Sequence, residues 1–184
     1  MIRHLLGAGV SGRAWVNAAR ELFGTLSATG LPTGTIVART VATPYTSNAD
    51  LNTDLPFDDT PPMDSEGDSI LSAAHAMLAA TNRVVIRFSG WGAASDTSQI
   101  SAALISSTAT LGIAAYSVKP QSANASTPMF IQHEYSSGAT TSVTYSIRVG
   151  ADTGGTAMRM NGTTAARRFG GVSASTLVIE EVKA

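Results

Sequence analysis

Short strand-like runs recur along this 184-residue chain from residue 35 onward, and in the clearest of them apolar and polar positions alternate with a period of two. Residues 142–149 show it best. Val143, Tyr145, Ile147 and Val149 fall on one side, and Ser142, Thr144, Ser146 and Arg148 on the other, as in a strand with one buried face. Residues 83–89 repeat the pattern, with Val84, Ile86 and Phe88 opposite Val85 and Arg87. Further strands are predicted at 35–43, 100–105, 112–118, 129–135, 157–160 and 176–182. Turn-rich clusters separate them at 90–98, 107–110, 120–127, 136–139, 150–155 and 161–164. The Ala-rich segment 69–80 is helical by propensity. It nevertheless lies inside a β series and runs through Thr81-Asn82 directly into the next strand, so it is assigned as a strand. Many short strands with regular turn punctuation predict a mainly β fold, an antiparallel jelly-roll sandwich.

The first residues follow a different period. Within 11–23, Trp15, Ala18, Ala19, Leu22 and Phe23 share one stripe, Ser11 is placed to cap the start, and Gly24 to end it. A helix of about three turns is marginal alone in water, so its aromatic stripe is expected to need a partner. Residues 27–34 form a turn-rich linker. The chain therefore divides into an N-terminal anchor arm, 1–34, with a short helix, and a jelly-roll knob domain, 35–184. Gly7, Gly9 and Gly12 match the spacing of a dinucleotide-binding turn, but the context does not support one. The preceding segment carries Arg3 and His4, no carboxylate ends 35–43, and no strand–helix alternation follows. No cofactor is expected.

Charge narrows the partners. Twelve Lys and Arg against thirteen Asp and Glu leave a formal net charge of −1, so no basic field draws the chain to nucleic acid or to an anionic membrane. No stretch approaches the ~20 apolar residues that a membrane-crossing helix needs. Gly7-Ala8-Gly9 and Arg13 break any secretory h-region. Cysteine is absent, which removes disulfides, Cys-ligated metals and thiol nucleophiles together.

Candidate chemistry is sparse. His4, His75 and His133 have no helical spacing that pairs them, and no G-x-S-x-G elbow marks a serine nucleophile; neither catalytic nor metal-binding residues are assigned. Seven carboxylates (Asp50, Asp54, Asp58, Asp59, Asp64, Glu66 and Asp68) crowd around Pro56, Pro61 and Pro62. They are expected to form a solvated or hydrogen-bonded loop, with Asp58 or Asp59 capping nearby N–H groups; a divalent cation is the alternative reading. Arg148, Arg159, Arg167 and Arg168 offer that loop partners across a subunit boundary. Trp91, between Gly90 and Gly92 at a strand end, is the candidate for stacking on sugar or contacting protein. Asn124-Ala-Ser and Asn161-Gly-Thr match the glycosylation acceptor pattern and are assigned as turns.

One stretch carries a resemblance. Leu55-Pro56-Phe57-Asp58-Asp59-Thr60-Pro61-Pro62-Met63-Asp64-Ser65-Glu66-Gly67 resembles the P-x-D-D-T-x-P-x-x-x-E-G segment near the start of many bacteriophage and prophage fibre-tip domains. Residues 142–149, 155–162 and 171–182 are similar to the closing strands of those domains. The likeness covers about 35–184; the Ala-rich 69–80 departs from it and the first 34 residues lie outside. It implies a tumour-necrosis-factor-like jelly roll, a homotrimer, no shared catalytic residues and a place on a virion assembled in the bacterial cytoplasm. In such a particle Trp15, Leu22 and Phe23 would contact copies of themselves or other virion proteins. Loops at 90–98, 120–127 and 150–155, with Trp91, would meet a host-surface glycan or protein. Two alternatives stay open: a capsid or tail decoration protein without receptor binding, and a polysaccharide-degrading spike enzyme.

Overall fold

In the computed structural model, residues 30–109, 111–153 and 155–184 are described. They form nine strands: β1 (Ile36–Val41), β2 (Asp68–Ala76), β3 (Arg83–Ala94), β4 (Ile100–Ser106), β5 (Gly112–Val118), β6 (Thr127–Tyr135), β7 (Ser142–Ala151), β8 (Met158–Met160) and β9 (Thr176–Val182). Two antiparallel sheets result. One is ordered β1-β9-β3-β6 with β8 beside β3, the other β2-β7-β4-β5. Successive strands mostly alternate between the sheets, as a jelly roll requires.

The period-two pattern decides what fills the space between them. Val84, Ile86 and Phe88 from β3 and Leu177 and Ile179 from β9 meet Val143, Tyr145, Ile147 and Val149 from β7 and Leu104 from β4 in one buried cluster. Tertiary pairing overrides helix propensity in β2, which lies antiparallel along β7 with a bulge between Ser69 and Leu71. The bulge lets the neighbours Ile70 and Leu71 both be buried. One core phenol has no partner: Tyr145 Oη is buried without a hydrogen bond among the described residues. Burial, with Tyr135 nearby, pushes this phenol up to about 12.

The edge where β1, β2 and β9 meet is closed by a polar cluster. Glu181, fully buried on β9, accepts hydrogen bonds from Asn82 Nδ2 (2.5 Å), from Leu78 N–H (2.9 and 3.0 Å) and from Ala79 N–H (3.4 Å). His75 Nε2 lies 3.3 Å from the same carboxylate, and His75 Nδ1 is 2.9 Å from Thr40 Oγ1. Burial alone would raise the Glu181 pKa, but the bonds from Asn82, Leu78, His75 and Ala79 outweigh it and hold the carboxyl below its usual range.

Residues 42–67 form a strap that treats the two outer faces differently. It bridges Tyr45 to Ser175 and Leu51 to Met158, then crosses to the four-stranded sheet, where Met63 bridges to Leu111. There Leu55, 1% exposed, packs on Ala103 and Ile105 of β4, so that every residue of β4 is buried. The approach is close because Gly150 has no side chain; a Cβ there would lie 2.5 Å from the Thr53 carbonyl oxygen. Arg148 fastens the far end, donating to the carbonyls of Glu66 (2.6 Å) and Gly67 (2.8 Å).

The two poles also differ. At one, Gly34 N–H donates to Lys183 O and Ala184 N–H approaches Asn82 Oδ1. At the other, Asn124 N–H donates to Ala94 O and Asp152 N–H to Gln99 O, while Ser98 Oγ lies 2.9 Å from Thr153 Oγ1. Three connecting loops, 95–99, 119–126 and 152–157, are thereby drawn together.

Candidate functional site

The outer face of the five-stranded sheet is not covered by the strap. Its cross-strand rows pair Val41 with Val178 and Arg87 with Gln132, and place Phe130 beside Ser89. Arg87 and Arg39 both reach Glu180, Arg39 at 3.7 Å, and Arg83 pairs with Glu134. These are surface pairs, each worth little to stability, and they offset most of the positive charge in the middle of the face. Phe130, 58% exposed, stacks against Tyr116 with centroids 4.8 Å apart.

Towards the loop pole the face becomes aromatic. β3 does not end at Ser89 as the sequence suggests but continues through Gly90-Trp91-Gly92 to Ala94. Both glycines face inward. A Cβ on Gly90 would lie 2.6 Å from Ser175 Oγ, and one on Gly92 2.7 Å from Arg159 O, so only glycine lets β8 and the Ser175 segment pack beneath. Trp91 therefore emerges on the outer side, opposite Pro128 of β6. Its indole N–H donates to Ser173 Oγ at 2.6 Å, which fixes the ring and spends its one donor inside the protein. Phe169 meets it edge-on, with centroids 6.1 Å apart and planes at 72°, a favoured aromatic geometry.

Phe169 is held in an unusual way. It lies in the left-handed region at φ +54°, followed by Gly170 at +59° and Gly171 at +90°. For a bulky residue this costs about 1 kcal/mol or more, and it leaves the ring 73% exposed. Neighbouring contacts impose the turn. Asn161, itself buried at φ +59°, donates through Nδ2 to Tyr45 O (2.7 Å) and accepts from Ser175 Oγ (3.2 Å). Its carbonyl receives Arg168 N–H, and its own N–H donates to Trp91 O. Arg167 donates to Thr46 O, and its guanidinium lies against Gly171. Trp91, Phe169, Pro128, Ser126, Gly90 and Arg168 enclose an open cleft of about 570 Å³. It offers two ring surfaces and one cation.

Comparison with known proteins adds little to this geometry. No protein-family model matches the chain, and neither does any curated protein. Among solved structures, the CBM36-1 domain of a multidomain xylanase from the hindgut metagenome of Trinervitermes trinervoides is similar at 11% identity and TM-score 0.39, covering 77% of this chain and 96% of that one. A carbohydrate-binding module CBM36, solved with calcium and xylotriose, is similar at 11% identity and TM-score 0.36, covering 79% and 99%. Both scores fall below 0.5, so the sandwich assignment rests on the strand pairing of this chain itself.

The remaining candidates fall elsewhere. Trp15, Leu22 and Phe23, the short helix, His4 and the glycines at 7, 9 and 12 lie outside the described residues. The acidic segment is a mostly exposed, hydrogen-bonded loop over residues 57–65, as expected, and beside it Leu55 closes part of a sheet face; its carboxylates bind backbone. Thr60 N–H and Oγ1 donate to Asp58 (2.8 and 2.5 Å), lowering its pKa, and Met63 N–H donates to Glu66. The late arginines do not need a second subunit to meet it. Arg159 forks onto Asp50 of the same chain at 2.5 and 3.0 Å and Arg148 donates to the Glu66 and Gly67 carbonyls, while Arg167 donates to Thr46 O and Arg168 approaches Thr163 Oγ1. Among the described residues no group of three or more His, Asp or Glu stands together as a metal-ligand set. His75 is structural, bound to Glu181 and Thr40. Asn124 and Asn161 both occupy left-handed turns, and Asn161 is fully buried. Phe169 and Arg168 carried no periodic signal. The one local cue was a bulky residue directly before Gly170-Gly171.

Proposed function

We propose that this protein is a non-enzymatic, glycan-binding jelly-roll knob that works by surface recognition. The observation that carries the reading is the Trp91–Phe169 cleft. A pyranose ring presents an apolar C–H face, and an aromatic ring already fixed in place can cover it with little loss of side-chain entropy. Trp91 is pinned by Ser173, and Phe169, whose described ring contact is the edge of Trp91, is presented on a strained turn with most of its surface exposed. Strain of this sort points towards function rather than stability. The carboxylates Asp50, Asp58, Glu66 and Asp68 are engaged by Arg159, Thr60, Met63 and Thr53, which favours recognition over the polysaccharide-degrading alternative.

The setting we propose for this binding is a homotrimeric fibre or spike knob of a phage or phage-like particle. What supports it is the likeness of residues 55–67 to fibre-tip segments, together with a sandwich in which Gly34 and the C-terminal Ala184 lie at one pole and the loops 95–99, 119–126 and 152–157 at the other. A trimer would present three copies of a weak site and gain avidity. The test is calorimetric titration of the purified full chain against bacterial surface polysaccharides. Binding should fall at least about tenfold in Trp91→Ala and in Phe169→Ala, with the circular dichroism spectrum unchanged. Equal binding by both variants removes the cleft from the function. Light scattering reports the assembly: a mass of three chains is expected, and one chain's mass rules out the knob arrangement.

A further inference from the structure

Among the described residues the proposed cleft contains a single charged group, Arg168, and it differs from the other described arginines. Among the described residues, Arg39, Arg83, Arg87 and Arg159 pair with carboxylates. Arg148 and Arg167 donate to backbone carbonyls. Arg168 has neither kind of partner: its side chain makes one 3.5 Å approach, Nη2 to Thr163 Oγ1. It is exposed, it directly precedes Phe169, and no carboxylate lines the cleft. Its backbone is tied to Asn161 and to Gly171, so the fork of donors starts from a fixed point beside the two rings.

Resting on the glycan reading above, we infer that the cleft selects an acidic saccharide, one whose sugar ring covers Trp91 or Phe169 while its carboxylate meets the Arg168 guanidinium. A planar guanidinium matches a carboxylate in two parallel N–H···O bonds, and charge assistance makes these stronger than neutral ones. A neutral sugar would leave the guanidinium to water and lose only that increment. The rings supply the contact area, and Arg168 supplies the choice between charged and uncharged ligands.

The experiment is a printed array of uronic-acid-containing bacterial polysaccharides, the same polymers after reduction of their carboxyls to hydroxymethyl groups, and sulfated glycans, probed with the full chain. The expected result is binding to the uronate polymers that drops about tenfold on carboxyl reduction. Arg168→Gln should show the same drop on the unreduced polymers and unchanged binding to the reduced ones. Trp91→Ala should lose both. Arg168 is exposed, so its variant is expected to fold, and circular dichroism checks that it has. Equal binding to charged and reduced forms overturns this inference and leaves the glycan reading intact. Preference for sulfate over carboxylate also overturns it, as does acid-dependent binding that Arg168→Gln retains. Binding to nothing on the array overturns both, since the reading on which the inference rests would then have failed.

Discussion

The two outer faces of this sandwich began with the same problem and solved it in opposite ways. β4 presents Ser101, Ala103 and Ile105 outward, and the chain folds its own Leu55 down on them until the strand is buried on both sides. β3 and β6 present Trp91, Pro128 and Phe130 outward, and the strap leaves them uncovered. On the covered face Ser101 and Ala103 are small, Ile105 packs against Leu55, and Gly150 admits close backbone contact. On the open face the rings are large, and one stands on a left-handed turn. Covering a face stabilises the domain. Leaving aromatic surface exposed contributes little to folding, which is why binding is proposed on the open face.

Substitutions can break this contrast. The largest effect is expected on the closed face: Leu55→Ala should cost about 3 kcal/mol in urea unfolding, because it empties a fully buried site, while glycan binding by the folded protein is unchanged. A cost below about 1 kcal/mol would mean the strap rests on the sheet without holding it. Next is the buried carboxylate. Glu181→Gln turns an amide donor towards donors already aimed at the site, and about 2 kcal/mol should be lost. The sign with pH follows from its lowered pKa. The stabilisation is complete above the usual glutamate range, about pH 4 to 5, and is lost as pH falls through the lower folded value. The wild-type midpoint should therefore fall more steeply with acid than that of the variant, which keeps the contributions of Asp50, Asp58 and Asp96. Tyr145→Phe removes an unpartnered buried hydroxyl and should be neutral or raise stability by about 1 kcal/mol; a loss beyond that would reveal a hidden partner for the hydroxyl. The smallest stability change belongs to the open face. Phe169→Gly relieves the left-handed strain but gives up the Trp91 edge contact and loosens the unfolded chain, so stability should change by no more than about 0.5 kcal/mol while binding weakens. A variant that loses more stability than that would place Phe169 with the packing residues.

Strands were legible wherever burial is one-sided, because a period of two is a local property of the chain. Val84 to Phe88 and Val143 to Val149 announce their inner faces without reference to anything distant. β4 was harder for the same reason. Ile100 to Ser106 does not alternate because both its faces are buried, a state normally met in sheets covered on both sides. The strap's proline and aspartate content marked it as irregular, but nothing near Leu55 says which surface it will cover. The Gly-Trp-Gly triplet flagged Trp91, although the glycines suggested a turn rather than a strand making room for β8. The cleft itself was not legible. Its second ring and its cation arrive with the segment before β9, and their meeting with Trp91 depends on Asn161 tying that segment to Tyr45 and to the Trp91 carbonyl.

The polarity of β3 has a practical corollary. Gly34 and Ala184 sit beside its Arg83 end, whereas Trp91 and the converging loops sit near Ala94, about 30 Å further along at some 3.3 Å per residue. A fluorophore, a fusion partner or a solid support joined at the C-terminal Ala184 is thus held well away from the rings. The domain can be tethered from its foot without obstructing its crown.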